Sequence, residues 1–258
     1  MKIGFIGFGS MGQAICDGLI GKGTVKPDDV YASARNWDKL AANCGQRGIH
    51  TAKSALEAAS AADLIVIAAL PGAVGHIMAE AGQALAGKPV VSIAAGLPFA
   101  ELRKIMPEGC NVISTIPNTP VSVGAGIFVA EETNSLTAEQ LKLFKSVFST
   151  IALIEFVPSS LLSLGGTLAG CTPAYMAMVI EALADAGVKH GMPRASAYRL
   201  VEQMMQGTAK YALESDIHPA QLKDGVCSPG GTTIKGLAAL ESAGMRSAMI
   251  EAIDAAME

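Results

Sequence analysis

Short apolar runs alternate with alanine-rich helical stretches through the first 157 residues, and that alternation leaves the chain few architectures. The runs are KIGFIG, DVYASA, LIVIAAL, PVVSIAA and NVISTI. They are brief and nearly uninterrupted, the pattern of strands buried on both faces of a parallel sheet. Helical stretches such as 53–62 and 73–86 separate them. Strand and helix in turn predict a doubly wound α/β domain, with GIFVAE and ALIEFV adding strands around a helix over 137–149. After Pro158 the strand signals stop. Thr172-Pro173 reads as a helix cap and first helical position, and Met176, Val179, Ile180 and Leu183 follow at helical spacing. A further helix carries Ala197, Leu200, Val201, Met204, Thr208 and Tyr211 on one face, where the methionines are expected to fill a core. The expected division is an α/β domain over 1–157 and an all-helical domain over 158–258.

Composition removes several function classes. The net charge is −4 and no basic tract occurs, which argues against nucleic acid and anionic membrane surfaces as partners. Cys16, Cys44, Cys110, Cys171 and Cys227 are scattered and odd in number, as expected of reduced thiols in the cytoplasm. The four histidines lack ligand spacing, so no metal site is expected. Residues 156–180 carry no charge, but Pro158, Gly165, Gly166, Gly170 and Pro173 interrupt them. That stretch reads as protein interior or subunit interface, not as a membrane span. The opening MKIGFIGFGSMG has no continuous apolar core or cleavage site of the kind a signal peptide needs.

The segment IGFGSMG sets Gly7, Gly9 and Gly12 in a G-x-G-x-x-G pattern, with Phe8, Ser10 and Met11 between them. It follows an apolar strand and opens a helix bearing Ile15 and Leu19. In that position Gly7 makes the tight turn, Gly9 admits a pyrophosphate and Gly12 lets the helix approach the sheet, as in a Rossmann dinucleotide site. An NAD site carries an acidic residue near the end of the next strand. Here the segment is YASARN, with Ser33 and Arg35 at that place. A hydroxyl and a guanidinium suit a 2′-phosphate, so the expected cofactor is NADPH (NADP+), with NADH used less well.

A second glycine-rich entrance stands at SPGGTTIKGLAALE, residues 228–241. Small residues at a helix start leave backbone N–H groups open, which suits a small anion. A plain turn capped by Thr232 or Thr233 is the other reading of this stretch.

Taken together, the segments GFIGFGSMGQAI, SIAAG (92–96), PNTP (117–120), PAYMAMVIEALADAGVKHGMPR and HPAQLKDGVCSPGGTTIKGLAALE resemble the pyrroline-5-carboxylate reductase family over nearly the whole chain. The resemblance implies an N-terminal Rossmann-like domain and a C-terminal helical dimerisation domain that interleaves with a partner subunit. It also implies an active site between one subunit's cofactor domain and helices of the dimer. The implied reaction is NADPH-dependent reduction of the cyclic imine 1-pyrroline-5-carboxylate to L-proline, the last step of proline biosynthesis. A cytoplasmic homodimer, or a higher oligomer of dimers, goes with it.

Carried across residue by residue, Ser228, Gly230, Gly231, Thr232 and Thr233 form the substrate loop. The Thr233 hydroxyl would bond the ring nitrogen, which makes Thr233 the catalytic candidate. Ala69, Leu70 and Pro71, then Ala94, Ala95 and Gly96, and finally Asn118 border the nicotinamide. The chain departs from the family pattern at three places: Leu70 where a lysine is common, Ser114 where an arginine often stands, and Ala169-Gly170-Cys171-Thr172-Pro173 in place of Ser-Gly-Ser-Gly-Pro. Two other functions stay open on the residues alone. One is a β-hydroxyacid dehydrogenase, which shares a glycine fingerprint and helical tail, and the other is an NADPH-binding sensor without turnover.

Overall fold

A computed structural model describes all residues, 1–258. Its first unit is built on eight strands: β1 Ile3–Ile6, β2 Val30–Ser33, β3 His50–Thr51, β4 Leu64–Ile67, β5 Pro89–Ser92, β6 Asn111–Pro117, β7 Gly126–Glu131 and β8 Ala152–Val157. They form one sheet in the order β3-β2-β1-β4-β5-β6-β7-β8. All neighbours run parallel except β6 and β7. Between the strands come α1 Ser10–Gly21, α2 Trp37–Arg47, α3 Ala55–Ala61, α4 Pro71–Ala81, α5 Phe99–Ile105 and α6 Ala138–Phe148. The chain winds outward from β1 to β3 and returns to place β4 on the other side of β1. That reversal opens a crevice at the C-terminal ends of β1 and β4, where ligands of such sheets bind.

Every residue of β1, β4 and β5 is buried, as uninterrupted apolar runs require of strands covered on both faces. One covering layer is aromatic, with Phe5, Phe128, Phe144 and Phe148 in a single core. The other is made of small residues, including Ala55, Ala58, Ala59 and Ala62 from α3 and its exit, which lets that helix lie close to the sheet. Thr137 caps α6 by accepting from Gln140 N–H, and the Gln140 side chain accepts from Thr137 N–H. This reciprocal pair explains why the helix starts where it does. Strand β3 has no counterpart in the sequence reading: two residues are too few to show a period, and it is held beside Tyr31, whose ring stacks on His50 at 4.6 Å.

The chain divides into two compact units, Met1–Gly170 and Cys171–Glu258. Helix α7, Leu162–Gly170, belongs by packing to the first. A Cβ on Gly165 would come within 2.7 Å of Val129 Cγ1, and one on Gly166 would meet Ile116 Cδ1, so the glycines set how closely α7 lies on β6 and β7.

The second unit holds α8 Thr172–Lys189, α9 Arg194–Ser215, α10 Pro219–Gly225, α11 Thr232–Ser242 and α12 Met245–Met257. Helix α8 starts at Thr172, with Cys171 preceding it in helical backbone and no side-chain cap. Helix α8 therefore begins one residue earlier than expected, with Thr172 and Pro173 at its first and second positions, a shift usual at helix ends. Helices α8 and α9 meet where a Cβ on Gly187 would lie 3.3 Å from Ala197 Cβ, and the Tyr175 hydroxyl donates to Ala252 O at 3.3 Å to tie α8 to α12. The expected core on α9 is not present within one chain: Ala197 is buried, but Leu200, Met204 and Tyr211 are exposed. Helical periodicity marks an apolar face without saying what covers it. The segment Ser159–Lys189 is apolar and long enough to cross a membrane by length and composition alone, and it is broken between α7 and α8.

Candidate active site

The residues assigned to the cofactor gather at one edge of the sheet. Gly7 to Gly12 follow β1, Ser33 ends β2, Arg35 comes two residues later, Ala69 to Pro71 follow β4, Ala94 to Gly96 follow β5, and Asn118 follows β6. All of these strands run parallel, so these are five neighbouring C-terminal ends.

Gly7 has φ +90°, and a Cβ there would strike the Ala68 carbonyl. The turn is thus closed to any other residue. A Cβ on Gly12 would lie 3.1 Å from Gly7 O and 3.2 Å from Ala68 Cβ, which seats α1 against β1 and β4. At Gly9 the reverse holds: an added Cβ meets no protein atom within 4 Å. Gly9 is the N-cap of α1, without a side-chain cap and with no acidic residue in the first turn. An exposed helix start with bare backbone is a cradle for a diphosphate, and the residues present fit a dinucleotide.

The neighbours of the glycines divide by role. Ser10 is exposed and Met11 half-buried at the first turn of α1. Phe8 is a core residue, edge-on to Phe5 at 5.7 Å, so it offers the site only backbone. The Phe8 carbonyl is also engaged, accepting from Gln13 Nε2 at 3.1 Å. Behind the ring stands the Arg47 guanidinium, 5.8 Å from its centroid, which donates to both carboxyl oxygens of Asp17 at 2.6 and 2.8 Å. That hydrogen bond to Asp17 raises the guanidinium pKa further above its usual range. Arg47 thereby fastens α2 to α1, a support that a separation of thirty positions hides from any local motif.

Ser33 is buried, and its carbonyl accepts the Gly7 N–H at 2.8 Å. Arg35 is exposed and makes no hydrogen bond or ion pair within the chain. The turn that displays it is closed by Asn36, whose Oδ1 accepts from Lys39 N–H at 3.0 Å as the N-cap of α2. Asn36 was not among the expected residues, although an Asn before a helical run is a readable cap. Leu70 is 73% exposed as the N-cap of α4, with Pro71 at the first position and Ala69 half-buried before it. Ala94 is buried, while Ala95 and Gly96 are exposed, Gly96 at φ +80°. Asn118 behaves differently from a ligand donor. Its Oδ1 accepts from Ile127 N–H at 2.9 Å and its Nδ2 donates to Ala169 O at 3.1 Å, so its amide ties β7 to the end of α7.

The residues expected to form the substrate loop lie in the second unit. Ser228-Pro229-Gly230-Gly231 has Pro at the second position, Gly230 at φ +72° at the third, and Gly231 N–H donating to Ser228 O at 3.0 Å. These are the marks of a type II turn. Gly231 is the N-cap of α11, and neither Thr232 nor Thr233 caps it: both lie inside the helix and are exposed. The first turn has no acidic residue, and the Thr233 hydroxyl has no partner within the chain. The capped-turn reading is therefore set aside in favour of an open helix start.

Two family models match successive parts of the chain. A family model described as pyrroline-5-carboxylate reductase dimerisation matches residues 159–258, and one described as NADP oxidoreductase coenzyme F420-dependent matches 2–96. Over 261 residues the chain is 40% identical to pyrroline-5-carboxylate reductase of Treponema pallidum (strain Nichols), covering 100% of this chain and 99% of that one. It is 41% identical to the Escherichia coli (strain K12) enzyme of the same name, covering 100% and 96%. The chain belongs to the pyrroline-5-carboxylate reductase family. Such reductases are oxidoreductases acting on the C=N bond of a cyclic imine. Among solved structures, the Plasmodium falciparum pyrroline carboxylate reductase with NADP bound superposes with a TM-score of 0.86 at 29% identity, covering 99% of this chain and 95% of that one. The Coxiella burnetii pyrroline-5-carboxylate reductase gives 0.87 at 32%, covering 99% and 95%. The matched dimerisation segment indicates that the reductase forms homo-oligomers.

Proposed function

We propose that this reductase binds the substrate carboxylate on the backbone N–H groups at the start of α11, beside Ser228, Gly230, Gly231 and Thr232, and holds the ring nitrogen with the Thr233 hydroxyl. The chain reduces pyrroline-5-carboxylate to proline with NADPH, the product being L-proline. The carrying observation is the uncapped N-terminus of α11, with no acid in its first turn and a partnerless Thr233 hydroxyl. A helix dipole contributes about 0.3–2 kcal/mol to docking an anion there. Charge-assisted hydrogen bonds add about 1.5–3 kcal/mol each.

NADPH, when bound, supplies the hydride. Gly7, Gly9, Ser10, Met11 and Gly12 hold its diphosphate through backbone, Ser33 and Arg35 take the 2′-phosphate, and Ala69, Leu70, Pro71, Ala94, Ala95 and Gly96 border the nicotinamide. Phe8 and Asn118 support that edge from within the protein. The imine carbon accepts the hydride and the nitrogen keeps the electron pair of the broken π bond. Because the imine is protonated from water beforehand, the product is a neutral amine and no alkoxide develops. Orientation, not proton transfer, is then what the protein contributes. Residues 1–157 serve the cofactor, and 158–258 serve substrate binding and pairing of subunits into a homodimer or an assembly of dimers. Five free cysteines support a cytoplasmic location. Steady-state kinetics of Thr233→Val tests the assignment.

A further inference from the structure

The chain buries six polar or charged side chains: Ser33, Ser92, Ser114, Thr115, Asn118 and Glu131. Three of them form one row across the sheet. Ser92 on β5 is the register partner of Ser114 on β6. In the antiparallel β6–β7 pair Thr115 meets Ala130, and one further step sets Glu131 opposite Ser114.

The segment leaving β5 runs along this row and is bound at each post. Ala94 N–H donates to Ser92 Oγ at a long 3.4 Å, Ser114 Oγ donates to Leu97 O at 2.8 Å, and Phe99 N–H donates to Glu131 Oε2 at 2.6 Å. The other carboxyl oxygen of Glu131 accepts from Ser159 Oγ at 2.5 Å. Glu131 is 1% exposed, and a carboxyl group is buried at such depth only where its hydrogen bonds are made. At the crest of the segment Ala95 and Gly96 are exposed, and a Cβ on Gly96 would touch nothing. The crest has no packing around Gly96 to locate it. Its anchors do that.

We propose that Glu131 is a positioning residue for hydride transfer: from the end of β7 it fixes Phe99, and with Ser114 it sets the height of Ala94–Gly96 beneath the nicotinamide. The proposal rests on the assignment of that segment to the nicotinamide. Glu131 touches neither cofactor nor substrate, and it lies outside every motif that the sequence displays for either.

The test compares Glu131→Ala, Glu131→Gln and Ser114→Ala. A displacement of about 1 Å at the reacting groups costs roughly a hundredfold in rate, so a loosened segment is expected to lower kcat about tenfold or more in E131A. KM for NADPH stays within about threefold, because the diphosphate cradle is untouched. The primary isotope effect with NADPH deuterated at the transferred hydride rises. E131Q recovers most of the loss, since its amide oxygen accepts from Phe99 and its NH₂ faces a Ser159 hydroxyl able to accept. S114A removes a single bond and is expected to show the same signature at smaller amplitude, which keeps the test valid should E131A fail to fold. Wild-type kcat and isotope effect in E131A and S114A, with only a lowered melting temperature, overturn the role of Glu131. Ala95→Phe separates that failure from failure of the underlying assignment: it is expected to abolish turnover, and wild-type kinetics in A95F overturn the nicotinamide assignment and the proposal together.

Discussion

The backbone N–H of Gly7 donates to the carbonyl of Ser33 at 2.8 Å, joining the ends of β1 and β2. The glycine turn after β1 is thus tied to the end of β2, and the exposed Arg35 follows two residues later. Arg35→Ala is expected to raise KM for NADPH about ten- to a hundredfold, the value of a charged hydrogen bond, while moving KM for NADH by less than about threefold. Steady-state kinetics with both cofactors checks this. Equal effects on the two remove the 2′-phosphate assignment.

Gly7 and Gly9 are expected to respond differently to the same change. In Gly7→Ala the new methyl meets the Ala68 carbonyl at a positive φ. Stability should fall by about 1–3 kcal/mol, and NADPH binding with it. In Gly9→Ala the methyl meets no protein atom. The melting temperature should stay near that of the wild type while NADPH affinity drops. Thermal melts paired with NADPH fluorescence titration separate the two, and an unchanged affinity in G9A would remove the diphosphate from this turn.

Thr233→Val should retain fold and NADPH affinity and lose about ten- to a hundredfold in kcat/KM for the imine, the cost of one polar contact to substrate. Gly231, not Thr233, is the N-cap of α11, so the melting temperature should not move. Unchanged kinetics with a lower melting temperature would return Thr233 to a structural part.

Much of the fold is legible because apolar strands covered on both faces announce themselves as unbroken runs, and the glycine turn because nothing but glycine fits against Ala68. What escapes is made by distant residues. The row of Ser92, Ser114 and Glu131 exists only once three strands are in register, and Arg47 reaches Asp17 across thirty positions. Asn118, carried to the nicotinamide border by the resemblance, also holds Ile127 and Ala169 through its amide, a support no local motif displays. The face of α9 failed for another reason. Periodicity identified Leu200, Met204 and Tyr211 as apolar neighbours, but all three are exposed within the chain.

That exposed face carries a prediction of its own. Leu200 is 59% exposed, Met204 48% and Tyr211 56% along one side of α9, an apolar surface that an isolated chain does not keep in water. Sedimentation at micromolar concentration should show a dimer or a multiple of it and no folded monomer. A folded, active monomer would contradict the assignment of residues 158–258 to subunit pairing.

The central claim is that a cyclic imine, not a ketone or aldehyde acid, accepts the hydride. A carbonyl develops an alkoxide and needs a strong proton donor nearby. Residues 156–180 hold no lysine, histidine or acid. Of the lysines outside that stretch, Lys210 faces Glu214 at 3.8 Å and Lys223 is paired with Asp224 at 2.6 Å, a hydrogen bond that raises its pKa and makes it a weaker proton donor. Lys235 is exposed on α11. The most direct measurement is side-by-side turnover on the two substrate classes with the same enzyme: NADPH consumption with pyrroline-5-carboxylate, and NADP+ reduction with 3-hydroxy acids. Rapid NADPH consumption with the imine, proline as the product and little 3-hydroxy acid oxidation is the predicted result; comparable efficiency on a 3-hydroxy acid would contradict it.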